Sequence, residues 1–282
     1  MRPWTWLAAA ALLPGAGGPP LQQKANPPPP SDAAFHVTFE GAAAGEYTAA
    51  QAKADFGAAF SEFRPGWGPP GREVVVVSGA EAYKGGKSLR VRTLAGVDSV
   101  QAHFIDLYCN RIPPAEEYWW DFMIKFGEGF DFAVGGKIMN FGGGKQYAGA
   151  KPAGDGWSCY WLFDVNGAVN LYTYHMDQER PWGDNGYPAR KARLLVPGQW
   201  SHLMGHVKLN TGDNRDGIYE FFFNGKPVFQ KRDIRFRSGT QAPADQFDVT
   251  AFYGGQGDMF KAKRDGYIYY DNFRCGRTRP PP

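Results

Sequence analysis

Along almost every apolar segment of this chain, side chains alternate in character with a period of two, and that alternation restricts it to β architecture. YWWDFMIKF (118–126) reads as a strand with Tyr118, Trp120, Phe122 and Ile124 on one side. In SLRVRTL, Leu89 and Val91 alternate with Arg90 and Arg92; in SVQAHFIDLY, Gln101, His103 and Ile105 share a face. GWSCYWLFDVNGAVNLYTYH reads as a hairpin turning at Asn166-Gly167, and IYEFFFNGKPVFQ as one turning at Asn224-Gly225, because Asn-Gly suits the positive-φ positions of tight turns. QWSHLMGHVKLN and GYIYYDNFRC are further strands, and only residues 42–60 could hold a helix. Regular strands, turn signals and hardly any helix predict an all-β, antiparallel jelly-roll sandwich, concanavalin-like, with a concave substrate groove.

Composition agrees with that reading. The 282 residues are 16% aromatic and include 37 glycines, which favours short strands and tight turns. No internal repeat or second linker divides them. A formal charge of +3 is too small to argue for nucleic acid. Residues 1–19, with Arg2, a short apolar run and then small residues, have the layout of a secretory signal peptide and are too short to span a membrane. Residues 20–34 form a proline-rich linker, 35–276 the folded domain and 277–282 a polar tail. The expectation is an exported protein, extracellular or periplasmic. Cys109, Cys159 and Cys275 are an odd number, so at least one thiol is left over, and none has zinc-site spacing.

Two features single out candidate chemistry. FDFAVGGKIMNFGGG (130–144) places Lys137 between a glycine pair and a glycine triplet, where close approach of backbone or ligand is permitted. In NLYTYH, Tyr172 and Tyr174 share a face; Ser158 and Tyr160 share one in GWSCYW. In QWSHLMGHVKLN, Leu203, Val207 and Leu209 read as core, so His202, Met204, His206 and Lys208 project the other way. If these outward faces belong to one sheet, they line a cleft. A glycosidase would need two carboxylates flanking the scissile bond, and no strand face carries the pair. There is no GxSxG elbow, HExxH, Walker loop or dinucleotide fingerprint. The calcium-loop spacing is missing from GDNRDG, which reads as a turn.

GGKSLRV, EEYWWDFMIKFGEGFDFAVGGK, GWSCYWLF with LYTYH, PGQW with VKLNTGDNRDG, TAFYGG and DGYIYYDNF occur in the order found in a known family. Over roughly residues 36–275 the chain resembles the polysaccharide lyase family 14 domain and its relative, family 20, jelly-roll enzymes that cleave uronic-acid polymers such as alginate and glucuronan. The resemblance implies catalytic roles for Lys137, which closes the Gly-Gly-Lys motif, and for Tyr172 and Tyr174 of the Tyr-x-Tyr motif. Ser158 matches the serine of a Trp-Ser-x-Arg motif. Tyr160 stands where that motif has arginine, and Ile138-Met139-Asn140-Phe141 replace the usual Leu-Pro-Gly-Leu.

The chemistry explains these residue types. β-Elimination removes the C5 proton of a uronate, so a cation or donor must stabilise the enolate-like dianion, a base must take the proton, and an acid must protonate the leaving O4. Tyrosine serves in either proton-transfer role if nearby cations favour its phenolate. Lys137 either meets the sugar carboxylate or acts as the base. Tyr160 offers ring stacking in place of a guanidinium fork. Ser158, His103, His175, His206 and Lys208 are the remaining expected substrate contacts. The scheme needs no metal or cofactor, and the expected partner is an acidic polysaccharide handled by a monomer. The rival reading is a non-catalytic carbohydrate-binding sandwich.

Overall fold

A computed structural model describes residues 32–188 and 191–281. The expected signal peptide and nearly all of the linker lie outside the described residues. Two antiparallel sheets face each other. The larger contains β1 (Ala33–Val37), β2 (Gly45–Glu46), β4 (Val74–Ser78), β5 (Lys87–Thr93), β7 (Glu117–Phe126), β11 (Trp200–Lys208), β12 (Gly217–Phe223), β13 (Lys226–Ile234) and β15 (Gly266–Gly276). Its order is β13-β12-β11-β7-β15-β5-β4-β2, with β1 also on β15. The smaller contains β3 (Glu62–Arg64), β6 (Ile105–Cys109), β8 (Gly135–Gly144), β9 (Gly156–Asp164), β10 (Ala168–Tyr174) and β14 (Gln246–Tyr253), in the order β10-β9-β8-β14-β6-β3. Ala33 and Ala34, inside the expected linker, already belong to a strand, with Phe35 and Val37 buried as β1 pairs with β15.

Alternation decides what is buried. Tyr118, Trp120, Phe122 and Ile124 of β7 all turn into the core, as do Trp157, Cys159 and Trp161 of β9. Trp161 Nε1 donates to Tyr219 Oη at 2.8 Å, which gives the buried indole its partner on the opposite sheet. Trp120 stacks on Phe141 at 4.1 Å between ring centroids. Both expected hairpin turns form: Asn166 and Asn224 adopt φ of 59° and 48°, each followed by a positive-φ glycine. Among the described residues the one α-helix, α1 (Ala49–Phe56), falls in the segment expected to hold it and starts with a capping box between Thr48 and Gln51. Cys109, Cys159 and Cys275 are all buried free thiols.

One alternation misleads. His103 and Ile105 do not share a face, because β6 begins only at Ile105 and His103 belongs to the preceding turn, bridged to Trp67. Packing also carries a sharp test. Gly205 faces the core on β11, and a β-carbon there would collide with the Trp120 and Trp161 rings. Both rings are locked by neighbours, so Gly205→Ala is expected to lower unfolding free energy by about 1–3 kcal/mol, the usual cost of overpacking. Denaturant titration checks it.

Candidate functional site

The outer face of the smaller sheet, turned away from the core, carries the candidate chemistry. Register places Tyr172 opposite Tyr160, Tyr160 opposite Asn140, Asn140 opposite Asp248 and Asp248 opposite Tyr108, one row across β10, β9, β8, β14 and β6. Lys137 sits near one end of β8, opposite Leu162 and Phe252, beside a bulge between Lys137 and Met139. Gly136 packs so closely on the Phe163 ring and the Phe252 carbonyl that no β-carbon fits. The glycines beside Lys137 thus admit neighbouring protein, and the lysine is thrown onto the open face.

Among the described residues no carboxylate forms an ion pair with the Lys137 ammonium. Nζ lies 3.5 Å from the centroid of the Tyr160 ring and 5.2 Å from that of Phe252. Burial disfavours the charged form and brings the amine down from its ordinary value to about 8, with Asp106 opposing the shift. A lysine near its titration point is one that can both take and hold a proton.

Tyr172 and Tyr174 stand edge to face, 5.4 Å between centroids. Burial, then the hydrogen bond to Tyr174, pushes the Tyr172 phenol above its ordinary range. The Tyr174 hydroxyl also accepts from Gly149 N at 3.3 Å. With Gly149 N–H aimed at its oxygen, the Tyr174 O–H is left to donate elsewhere, and the same amide would stabilise the phenolate left behind. The condition set for a phenolate, nearby cations that favour it, is not met at Tyr172, where burial raises the phenol.

Lys137, Tyr172 and Tyr174 line one groove of about 730 Å³, which His103 joins from the far side. His103 stacks on Phe252 at 4.0 Å, and its Nδ1 is 2.9 Å from Asp106 Oδ1, which also accepts from Thr250 at 2.8 Å. That carboxylate fixes the ring by accepting from Nδ1.

The other expected residues lie outside the groove. Ser158 and Tyr160 are on the right face but covered by residues 145–155, whose Tyr147 packs against Tyr160 and Tyr174. The Tyr160 ring face is taken by Lys137 and is not open for stacking on a sugar. His175 follows β10 on the core-facing side, buried, with Nε2 2.9 Å from Asp184, and burial holds its pKa below the ordinary value. His206 and Lys208 belong to the larger sheet. There His206 stacks on Trp119 at 3.9 Å between Glu117 and Glu220, at 2.9 and 2.8 Å. Alternation gives a residue's face on its own strand, and only strand order says which sheet that strand joins.

Sequence reasoning missed Asn170, Trp182, Tyr187, Lys191, Phe252 and Phe260, all lining the groove. Asn170 was within reach, since it alternates with Tyr172 and Tyr174. Phe252 lay in the quoted TAFYGG. Trp182, Tyr187 and Lys191 come from an irregular segment whose path no periodicity announces. Among the described residues, no group of three or more His, Cys, Asp or Glu side chains is placed to hold a metal ion.

A family model described as polysaccharide lyase 14 matches residues 84–273. Among solved structures, alginate lyase Aly36B in complex with an alginate trisaccharide is 24% identical, with a TM-score of 0.71 over 88% of this chain and 99% of that one. An alginate lyase from Aplysia kurodai is 17% identical, with a TM-score of 0.68 over 88% and 100%. An endo-β-1,4-glucuronan lyase from the fungus Trichoderma reesei is 15% identical, with a TM-score of 0.57 over 87% and 96%. Among curated proteins none matches.

Proposed function

The chain belongs to the polysaccharide lyase 14 family and is a polysaccharide lyase, and from that premise we propose that it cleaves a uronate-containing polymer by β-elimination with Lys137 as the base. The observation that carries this reading is an unpaired, desolvated lysine facing a tyrosine pair across one groove. A uronate enters with its C5 hydrogen toward Lys137. Neutral Lys137 removes the C5 proton, and the resulting ammonium stays beside the dianion it has created. Tyr174 protonates O4 as the C4–O4 bond breaks, leaving a C4–C5 double bond on one fragment. Its phenolate, held by Gly149 N–H, recovers a proton from solvent as the Lys137 ammonium gives one up, which restores both groups.

Solved relatives support an acidic substrate: alginate oligosaccharides are bound to Aly36B variants in which a lysine is replaced together with a methionine or a tyrosine. Export rests on the layout of residues 1–19, and action as a monomer is part of the same proposal. No helix among the described residues is long and apolar enough to cross a membrane. The test is purified protein against alginate, glucuronan and mixed uronans, following the ultraviolet absorbance of the new double bond. Cleavage without that absorbance would mean hydrolysis; binding without cleavage would mean a carbohydrate-binding module.

The pH profile follows from the same lysine. The reaction needs the neutral amine, so kcat/KM should rise tenfold per pH unit and level off above about 8. Tyr172 titrates far higher, so its own ionisation brings no descending limb near neutrality. A profile falling through pH 8 would reverse the assignment and make the charged lysine the active form.

A further inference from the structure

The groove is not the only cavity on the outer face of the smaller sheet. A second, of about 300 Å³, is lined by Arg64, Tyr108, Asn110, Gln146 and Gln246, with Ser61 and Glu62 at its edge. Tyr108 and Tyr172 end the row of facing residues described above. At roughly 4.8 Å per strand, about 19 Å therefore separates Tyr108 from Tyr172, while on the His103 side the cavities come closer, because Asp106, which holds His103, is the strand partner of Arg64. Between them lies the start of the 145–155 segment. Gln146 Nε2 donates to Asp248 Oδ2 at 2.8 Å and to Gln246 Oε1 at 3.2 Å, and Tyr147 hydrogen-bonds Asp155.

The floor beneath that segment is unusual. Asn140 Oδ1 and Asp248 Oδ1, on adjacent strands, are buried with no hydrogen-bond partner among the described residues. Asp248 Oδ2 accepts from Asn140 Nδ2 at 3.2 Å, and the two remaining oxygens keep capacity that a hydroxyl reaching this floor would satisfy. Gly144 and Gly149, with φ of 66° and 71°, bracket Gln146 and Tyr147.

The chemistry of the second cavity differs from that at Lys137. Its cation, Arg64, is paired with Glu62 at 2.7 Å, and the other polar groups are carboxamides, a serine and a phenol. Carboxamides and hydroxyls both donate and accept, as sugar hydroxyls do. Glu62 cancels the charge by which Arg64 would otherwise draw in a uronate. The Tyr108 ring, its centroid 6.0 Å from the Arg64 guanidinium carbon, adds an aromatic wall.

We propose that this second cavity is a subsite for a neutral sugar of the same polymer whose uronate lies at Lys137, joined to the groove when Gln146 and Tyr147 turn aside. This rests on the lyase reading and narrows its substrate class to glycans in which neutral sugars interrupt the uronates.

The test compares Tyr108→Ala with wild type on a homopolymeric uronan and on a glycan alternating glucuronate with neutral hexoses. KM on the mixed glycan should rise about three- to ten-fold, the scale of one lost ring contact, with kcat retained and both constants on the homopolymer unchanged. Equal losses on both polymers, or none on either, would overturn the subsite. A second measurement needs no turnover. In Lys137→Ala, a mixed oligosaccharide should speed hydrogen exchange at the Ala153 amide, which donates to Tyr147 Oη at 3.0 Å, while a short uronate oligomer should not. Unchanged exchange with both ligands would contradict the opening. Absence of unsaturated product from wild type on every polymer would instead sink the lyase chemistry, which the exchange experiment does not use.

Discussion

Lys137→Met should abolish turnover and raise stability together. Loss of the base is expected to lower kcat by about 10²–10⁴-fold. The stability gain follows from the direction of the shift. Folding lowers the amine from 10.5 to about 8. The unfolded chain therefore binds more protons between those values, and the folded state gains stability as pH rises through them. Below pH 8 the full cost of the desolvated charge is present, about 3 kcal/mol at about 1.4 kcal/mol per pH unit. The contact with the Tyr160 ring returns about 1 kcal/mol of that. Methionine keeps the apolar stem and discards the charge, so a net gain of about 2 kcal/mol is expected near neutrality. That gain should fade by pH 10.5, where the unfolded amine also loses its proton. Denaturant midpoints at the two ends of this range measure it. A variant less stable than wild type near neutrality would mean that the lysine is solvated or paired.

The tyrosines should separate. Tyr174→Phe removes the proton donated to O4 and should cost about 10²–10⁴-fold in kcat with little change in KM. Tyr172→Phe removes the hydroxyl beside Tyr174 and leaves Gly149 N–H on the Tyr174 oxygen. Its cost should be nearer ten-fold, roughly the value of one charge-assisted hydrogen bond. Wild-type rates in both variants would reduce the pair to packing, and a larger loss in Tyr172→Phe would exchange their roles.

What was legible in the sequence was whatever a local rule decides. Alternation in 118–126 placed four aromatic and aliphatic side chains in the core, and the two Asn-Gly pairs placed two turns. The same logic brought Lys137, Tyr172 and Tyr174 to one face, because β8 and β10 flank β9 within a short run of chain. It failed for His206 and Lys208, whose strand pairs with β7 in the other sheet, since sheet membership depends on contacts distant in sequence. It failed again for Ser158 and Tyr160, which have the expected face but are roofed by residues 145–155, a segment whose glycines, alanines and lysines carry no periodic signal. Trp182 and Lys191 are the converse case: irregular backbone delivers them to the groove.

Rescue of Lys137→Ala by small primary amines asks whether Lys137 acts as a neutral amine that takes the C5 proton. If it does, added amines restore unsaturated product from a uronate polymer at rates that track the free-base concentration and increase with amine basicity. No rescue by any amine, or rescue that tracks the ammonium form as pH falls, would contradict it and leave Lys137 as an electrostatic anchor for the sugar carboxylate.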